Sequence, residues 1–308
     1  MKITDKIHRI RIDFKIGDVN PERFVYMYVL VGKEGIYLID TGTFGADKTL
    51  RNYLEENKEC FPNRAVKTIF LTHTHPDHIG GAAEMMKANP GCEIYGNADE
   101  QEWVENIDKQ FEERPIPNFY DLVSQSVKLT GTIEDGGIFK PENGLTIRII
   151  ESKGHSNGSL SFYWEEENAL FTGDAIPVAG DIPIYVNMKE SFETLEKLKN
   201  YPNVNLYLSA WDEIYDSKTG PEKIDAAIRK MKNIENAVRE EIKEKGEAET
   251  DKATLLKGAA KRLNLEFLIG NPLFIKSVYV TIDEIQNEKQ NDKQKEKQNN
   301  KQNKSGSD

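Results

Sequence analysis

Residues 66–78 read VKTIFLTHTHPDH, and this stretch decides how the rest of the chain is interpreted. The β-branched and aromatic run VKTIFLT predicts a strand, and a helix is expected to begin near Asp77. Three of the five histidines in the chain, at 73, 75 and 78, lie where the strand ends. Five histidines placed at random among 308 positions would be scattered. The cluster therefore indicates side chains that converge on one point.

Two later turns carry further residues of the same chemical type. His155 lies in GHSNGS (154–159), Asp174 ends FTGD (171–174), and only His8 is outside these sites. Each has an ordinary alternative: Asp77 could cap a helix, Asp174 could be an exposed turn residue, and His155 could be a surface histidine. Neutral imidazole and carboxylate groups together suit Zn²⁺ or Fe²⁺ better than Ca²⁺ or Mg²⁺. A metal site explains all of these residues at once.

The HxHxDH string at 73–78, the GHS turn and the FTGD turn resemble the metallo-β-lactamase fold superfamily, and most of all its glyoxalase-II-type hydrolases. The resemblance covers most of residues 10–215. It implies an α/β fold, an αββα sandwich with metals in the cleft between the sheet edges. By the same resemblance, one metal would be held by His73, His75 and His155. A second would be held by Asp77 and His78, and the Asp174 carboxylate would bridge the two metals.

The chain departs from the family pattern at one position. The family usually supplies one more histidine after the last core strand, but here residues 208–212 read LSAWD and no histidine follows His155. The second site is weakened, or Asp212 replaces the histidine, or the protein works with one metal. We expect zinc, one ion bound tightly and a second more weakly, with iron as the alternative. Asp40 matches a family residue that supports the site without binding metal.

The resemblance implies a metal-dependent hydrolase of a small thioester, ester or lactone. A metal-bound water with a pKa near 7 would supply hydroxide, and Asp77 would position that water or accept its proton as the catalytic group. The first alternative is a mononuclear-iron oxidoreductase of the persulfide-dioxygenase type. A phosphodiesterase or nuclease is less favoured, because the folded part is acidic and phosphate binding needs Lys and Arg. The non-enzymatic alternative is a metal-stabilised scaffold whose helical extension and charged tail bind a partner.

Composition sets the remaining expectations. Apolar residues make up 38% of the chain and charged residues 30%, the net charge is −11, and there are two cysteines. No stretch approaches the roughly 18 apolar residues of a membrane helix, and no secretory signal is apparent. We therefore expect a cytoplasmic protein with a small-molecule substrate and neither a nucleic-acid nor a membrane partner. A homodimer is one alternative for the oligomeric state.

Three zones follow one another along the chain. Residues 1–215 read as strands with a few helices and form the predicted catalytic domain. Residues 216–285 predict a helical extension packed on it, because Ile224, Ile228, Met231 and further apolar residues recur at three- and four-residue spacing. VYVTI (278–282) fits a helix or a strand. Residues 286–308 contain no aliphatic or aromatic side chain, so we predict a disordered polar tail there. A helix is the alternative, because Gln, Lys and Glu are tolerable helix formers.

Overall fold

A computed structural model describes residues 1–17, 23–178, 180–246 and 251–305, without the side chains of 292–294 and 296–305. Two six-stranded sheets form the centre of the fold in the described residues. The first sheet follows chain order: β1 Ile7–Phe14, β2 Arg23–Val31, β3 Ile36–Ile39, β4 Val66–Phe70, β5 Glu93–Gly96 and β6 Gly131–Thr132. The second sheet is ordered from β12 back to β7, with β7 Ile138–Glu142, β8 Leu145–Glu151, β9 Leu160–Trp164, β10 Ala169–Gly173, β11 Leu206–Ser209 and β12 Ile214–Asp216.

Each sheet combines antiparallel and parallel pairs. Strands β1, β2 and β3 are antiparallel, whereas β3, β4, β5 and β6 run parallel. In the second sheet only β10 and β11 are parallel. The parallel strands require crossovers, and the helices that lie between them in the chain supply these. The crossover helices are α1 Ala46–Glu56, α2 Pro76–Ile79, α3 Ala82–Ala88, α4 Gln101–Glu105, α5 Ile107–Glu113, α6 Phe119–Leu122 and α7 Met188–Lys199. After β12 the described residues form α8 Thr219–Lys245, α9 Lys252–Arg262 and α10 Pro272–Ser305.

The sheets pack face to face through large buried side chains. The Phe70 and Phe162 rings lie 5.5 Å apart, and those of Tyr28 and Phe171 lie 5.2 Å apart, each pair joining the two sheets. The outer face of the first sheet is covered by α1, α3 and the helices between β5 and β6. The outer face of the second is covered by α7 and the first half of α8. The layers are helix, sheet, sheet, helix, which confirms the predicted αββα sandwich.

The predicted C-terminal helical extension is also present, as α8, α9 and α10. The first half of α8 packs on the second sheet through Ile224 and Met231. Its second half joins α9 and α10 in a separate apolar cluster that includes Val238, Leu256 and Phe274. VYVTI lies within α10 and is helical. The exact boundaries between the three zones stay a prediction.

The polar tail differs from the prediction. Helix α10 continues through Ser305, so residues 286–305 are helical rather than disordered, and 306–308 lie outside the described residues. Glutamine, lysine and glutamate are adequate helix formers. The first half of α10 is packed, and its last buried side chain is Ile285. Because that half is already helical, residues 286–305 only extend an existing helix and need no new nucleation. No helix among the described residues has both the length and the apolar character of a membrane span.

Candidate metal centre

The loop after β4 is held in place by Asp40, which follows β3. One Asp40 carboxylate oxygen accepts a hydrogen bond from the Thr72 backbone N–H and the other accepts one from the Thr72 hydroxyl, both at 2.7 Å. Asp40 is buried and has a φ of 62°, a left-handed conformation that costs free energy in a residue other than glycine. The strained residue thus fixes the start of the histidine loop. Pro76 then opens the short helix α2.

Three ring nitrogens converge in this loop and the one after β8. His75 Nδ1 lies 3.0 Å from His73 Nε2 and 3.0 Å from His155 Nε2, and all three residues are buried. The three nitrogens could hold one metal ion, because they all lie within 4.8 Å of one another. The structure thus brings together the three histidines that were predicted to share a metal.

In His73 and His155, the hydrogen bond made by Nδ1 determines whether Nε2 is free to bind a metal. The Thr72 hydroxyl donates to Asp40, so it accepts at 3.1 Å from His73 Nδ1–H. His155 Nδ1–H donates to the Ile184 carbonyl at 3.1 Å. Each ring therefore carries its proton on Nδ1 and presents the Nε2 lone pair to the site, as a metal-ligating histidine requires. Burial also lowers the pKa of His73, His75 and His155, which favours the neutral rings.

A second group of donors adjoins the first. His78 donates from Nδ1 to Asp40 at 2.8 Å, while its buried Nε2 has no hydrogen-bond partner among the described residues. That Nε2 lies 3.2 Å from Asp174 Oδ1 and 3.5 Å from Asp77 Oδ2. His73, His78 and Asp174 are close enough to hold a metal ion. An unsatisfied imidazole nitrogen facing two carboxylates is the environment that a divalent cation would stabilise.

Asp174 lies between the two groups. Its Oδ1 faces His78, and its Oδ2 is 3.4 Å from His155 Nε2 and 3.9 Å from His73 Nε2. Burial opposes the ionised form of Asp174, but the neighbouring His78 outweighs burial and lowers the pKa of the carboxyl. Burial likewise opposes the charged form of His78, yet Asp174, Asp40 and Asp77 together raise its pKa well above the usual range. A carboxylate with one oxygen toward each group suits the predicted bridging position.

Comparison with known proteins agrees with this geometry. The model of the metallo-beta-lactamase superfamily matches residues 20–210, more than half of the chain. The chain belongs to the metallo-β-lactamase superfamily. Membership of this superfamily implies that the chain binds a divalent metal.

Individual relatives cover part of the chain. It is 30% identical over 138 residues to a hydroxyacylglutathione hydrolase from Hyphomonas neptunium, covering 44% of each protein. It is 30% identical over 141 residues to an atrochrysone carboxyl ACP thioesterase from Paecilomyces divaricatus, covering 44% of this chain and 36% of the relative. The chain thus spans less than half the length of these curated relatives. A metallo-beta-lactamase family protein from Thermus thermophilus has a TM-score of 0.63 at 19% identity, covering 87% of this chain and 94% of that one.

Trp211 occupies the loop in which the superfamily usually places its last histidine. Its indole Nε1 donates to Asp174 Oδ1 at 2.8 Å, and its ring packs against Phe14 and Phe24. An indole nitrogen is a donor only and cannot ligate a metal. Trp211 therefore occupies one acceptor site on Asp174 Oδ1, the oxygen that faces His78, and does not supply a further metal ligand.

Asp212 does not reach the donor groups. Its carboxylate accepts from the Glu213 backbone N–H at 2.8 Å, and its carbonyl accepts from Arg9 at 3.0 Å. Neither potential metal-binding group in the described part of the chain includes it. The structure therefore gives no support to Asp212 as the replacement ligand. Asp77 lies at the edge of the site, where burial raises the pKa of its carboxyl.

Two supports of this superfamily site were missed in the sequence. Buried Glu100 accepts from the Thr74 N–H at 3.0 Å, the Thr74 hydroxyl at 2.9 Å and the Gly158 N–H at 3.0 Å, so it ties the two histidine loops together. Helix α10 holds the segment that carries Ile184, because Thr281 bonds the Tyr185 hydroxyl at 2.7 Å. Neither Glu100 nor Thr281 lies in a recognisable sequence motif. Only their positions in the folded chain show what they do.

Proposed function

We propose that this chain is a zinc-dependent hydrolase of a small thioester, ester or lactone. The observation that carries the proposal is the convergence of His75 Nδ1 with the Nε2 atoms of His73 and His155, with the Asp174 carboxylate beside them. Nitrogen-rich donor sets of this kind favour zinc over calcium or magnesium. The names of the two curated relatives, a hydrolase and a thioesterase, support the same reaction class.

The residues of the site would have two roles, metal binding and positioning of the attacking water. His73, His75 and His155 would hold the tight zinc, and His78, Asp77 and Asp174 would hold the weaker one. A bound zinc supplies an activated water and polarises the carbonyl under attack. Asp77, whose carboxylate lies 3.5 Å from His78 Nε2 at the edge of the site, would orient the attacking water or accept its proton.

The test is an assay of the purified, zinc-loaded protein against thioester, ester and lactone panels. His75→Gln should abolish turnover and reduce the zinc content measured by elemental analysis. His8→Gln is the matched control, because His8 is equally buried but lies outside the donor groups, and it should keep both. Turnover by the wild type no greater than that of free zinc would contradict the proposal.

A second candidate is a mononuclear-iron oxidoreductase of the persulfide-dioxygenase type. Trp211 favours it, because a donor-only side chain stands where a two-metal site would have another ligand. Elemental analysis of the protein as isolated and oxygen uptake with glutathione persulfide separate the two candidates. Zinc without oxygen consumption removes the second, and iron with oxygen consumption removes the first.

A further inference from the structure

A cavity of about 120 Å³ opens beside His75. Its wall includes Ser156 from the His155 loop, Arg114 from the end of α5 and Lys276 from α10. The catalytic domain and the helical extension therefore both contribute to it. Because His75 is one of the metal-donor residues, the cavity adjoins the metal centre.

The carboxylates in the wall are occupied by other partners. Asp99 pairs with Lys153 at 2.8 Å, and Glu113 accepts from the Trp103 indole N–H at 2.7 Å. Glu100 accepts the three hydrogen bonds that tie the histidine loops together. None of these acids forms an ion pair with the two cations of the cavity within the described residues.

Arg114 and Lys276 themselves have neither an ion pair nor a side-chain hydrogen bond in the part of the chain that the structure describes. Burial lowers the pKa of the Arg114 guanidinium, although the nearby charges of Asp77, Glu100 and Asp174 act in the opposite direction. Lys276 is exposed overall, but partial burial and then the Arg114 charge lower the pKa of its ammonium. A largely buried guanidinium without a direct partner costs free energy, and the neighbouring Lys276 charge repels it. A bound anion would interact favourably with both cations.

We propose that Arg114 and Lys276 bind an anionic group, a carboxylate or a phosphate, on the leaving-group portion of the substrate. The proposal rests on the proposed hydrolase function and narrows its substrate class to anionic thioesters or esters. The planar guanidinium of Arg114 can bond both oxygens of a carboxylate or phosphate, and Lys276 adds a second charge. A local cationic site is needed for such a substrate because the chain as a whole carries a net charge of −11.

Three thioesters with the same acyl group test the proposal. S-acyl N-acetylcysteamine is neutral, S-acyl glutathione carries carboxylates, and S-acyl phosphopantetheine carries a phosphate. Arg114→Gln and Lys276→Gln should each raise KM for an anionic thioester by about 10- to 100-fold, the range expected for losing a hydrogen bond between charged groups. KM for the neutral thioester should stay within about twofold. Lys232→Gln makes the same charge change at an exposed position of α8 and is the matched control.

Calorimetric titration with S-methyl glutathione and S-methyl phosphopantetheine measures anion binding without turnover. Binding of either compound that is weakened by both variants but not by Lys232→Gln supports the proposal and identifies the anion. Absence of binding to the wild type, or binding that neither variant weakens, overturns it. If no form of the protein hydrolyses even the neutral thioester, the hydrolase function fails, while the titration still decides whether the anion site exists.

Discussion

Trp211 sets the expected metal content of the protein. The first group of donors contains three histidines. The second has His78 and the shared Asp174, whose Oδ1 is engaged by the indole, with Asp77 as its further predicted ligand. We expect the wild type to keep one zinc per chain after dialysis against a mild chelator. Trp211→His should raise the retained zinc toward two, because an imidazole can ligate where an indole cannot. Elemental analysis of the dialysed proteins measures this.

Two further variants control that prediction. Trp211→Phe removes the hydrogen bond to Asp174 without adding a ligand, so it should not raise the retained zinc to two. Asp212→Ala should leave the metal content unchanged, because its carboxylate bonds the Glu213 backbone away from the donors. Two equally tight zinc ions in the wild type, or a loss of zinc in Asp212→Ala, would contradict this account.

His8 gives the fold a pH dependence of its own. The residue is fully buried, its Nδ1 lies 2.9 Å from the Tyr53 hydroxyl, and burial lowers its pKa to about 4. An unfolded histidine titrates near 6.5, so between pH 6.5 and 4 the unfolded chain binds more protons than the folded one. The contribution of His8 to stability is therefore lost as the pH falls through that window, by at most about 1.4 kcal/mol per pH unit.

Urea denaturation of wild type and His8→Gln, both free of metal, measures this contribution. The difference in unfolding free energy between the two proteins should shrink as the pH is lowered from 7 to 4, because glutamine does not titrate. The metal-site histidines are present in both proteins, so their contributions to the unfolding free energy cancel in the difference. A difference that is constant with pH would show that His8 is not the group responsible.

At the scale of elements, α10 has two halves with different roles. Up to Ile285 its side chains are part of the apolar cluster of the extension. Beyond it, Glu288 pairs with Arg239 at 2.8 Å, an exposed ion pair worth at most about 1 kcal/mol. Deletion of 286–308 should therefore lower the melting temperature by no more than about 4 °C and leave the zinc content unchanged. Scanning calorimetry and elemental analysis check this, and a larger drop would show that the polar half stabilises the fold.

At the scale of the whole molecule, the extension belongs to the same folded body as the sandwich. Ile224 and Met231 of α8 share an apolar cluster with Leu195 and Leu198 of α7, and α10 holds the Tyr185 segment beside His155. A fragment of residues 1–215 should therefore aggregate and retain less zinc than the protein of 1–285. Size-exclusion chromatography and elemental analysis of both forms test this. A monodisperse 1–215 fragment with full zinc content would contradict it.

The sequence alone predicted the features that depend on local pattern. Alternating and continuous apolar runs predicted strands, and three- and four-residue spacing from Ile224 to Ile242 predicted α8, because burial on one face imposes the period of the backbone. The HxHxDH string predicted three of the histidines in the donor groups, since they are neighbours in the chain and leave one strand together. His155 and Asp174 stood out in two later turns as residues of the same chemical type, and the family resemblance added their roles as ligands and the αββα layers.

Only the tertiary structure decided the features that depend on distant residues meeting. Trp211 donates to Asp174, Glu100 joins the two histidine loops, and Arg114 lines a cavity with Lys276. None of these pairs has a characteristic spacing, because each is brought together by how the sheets and helices pack. The helical tail shows the same limit: its composition allows either disorder or helix, and the packed half of α10 that precedes it determines which one forms.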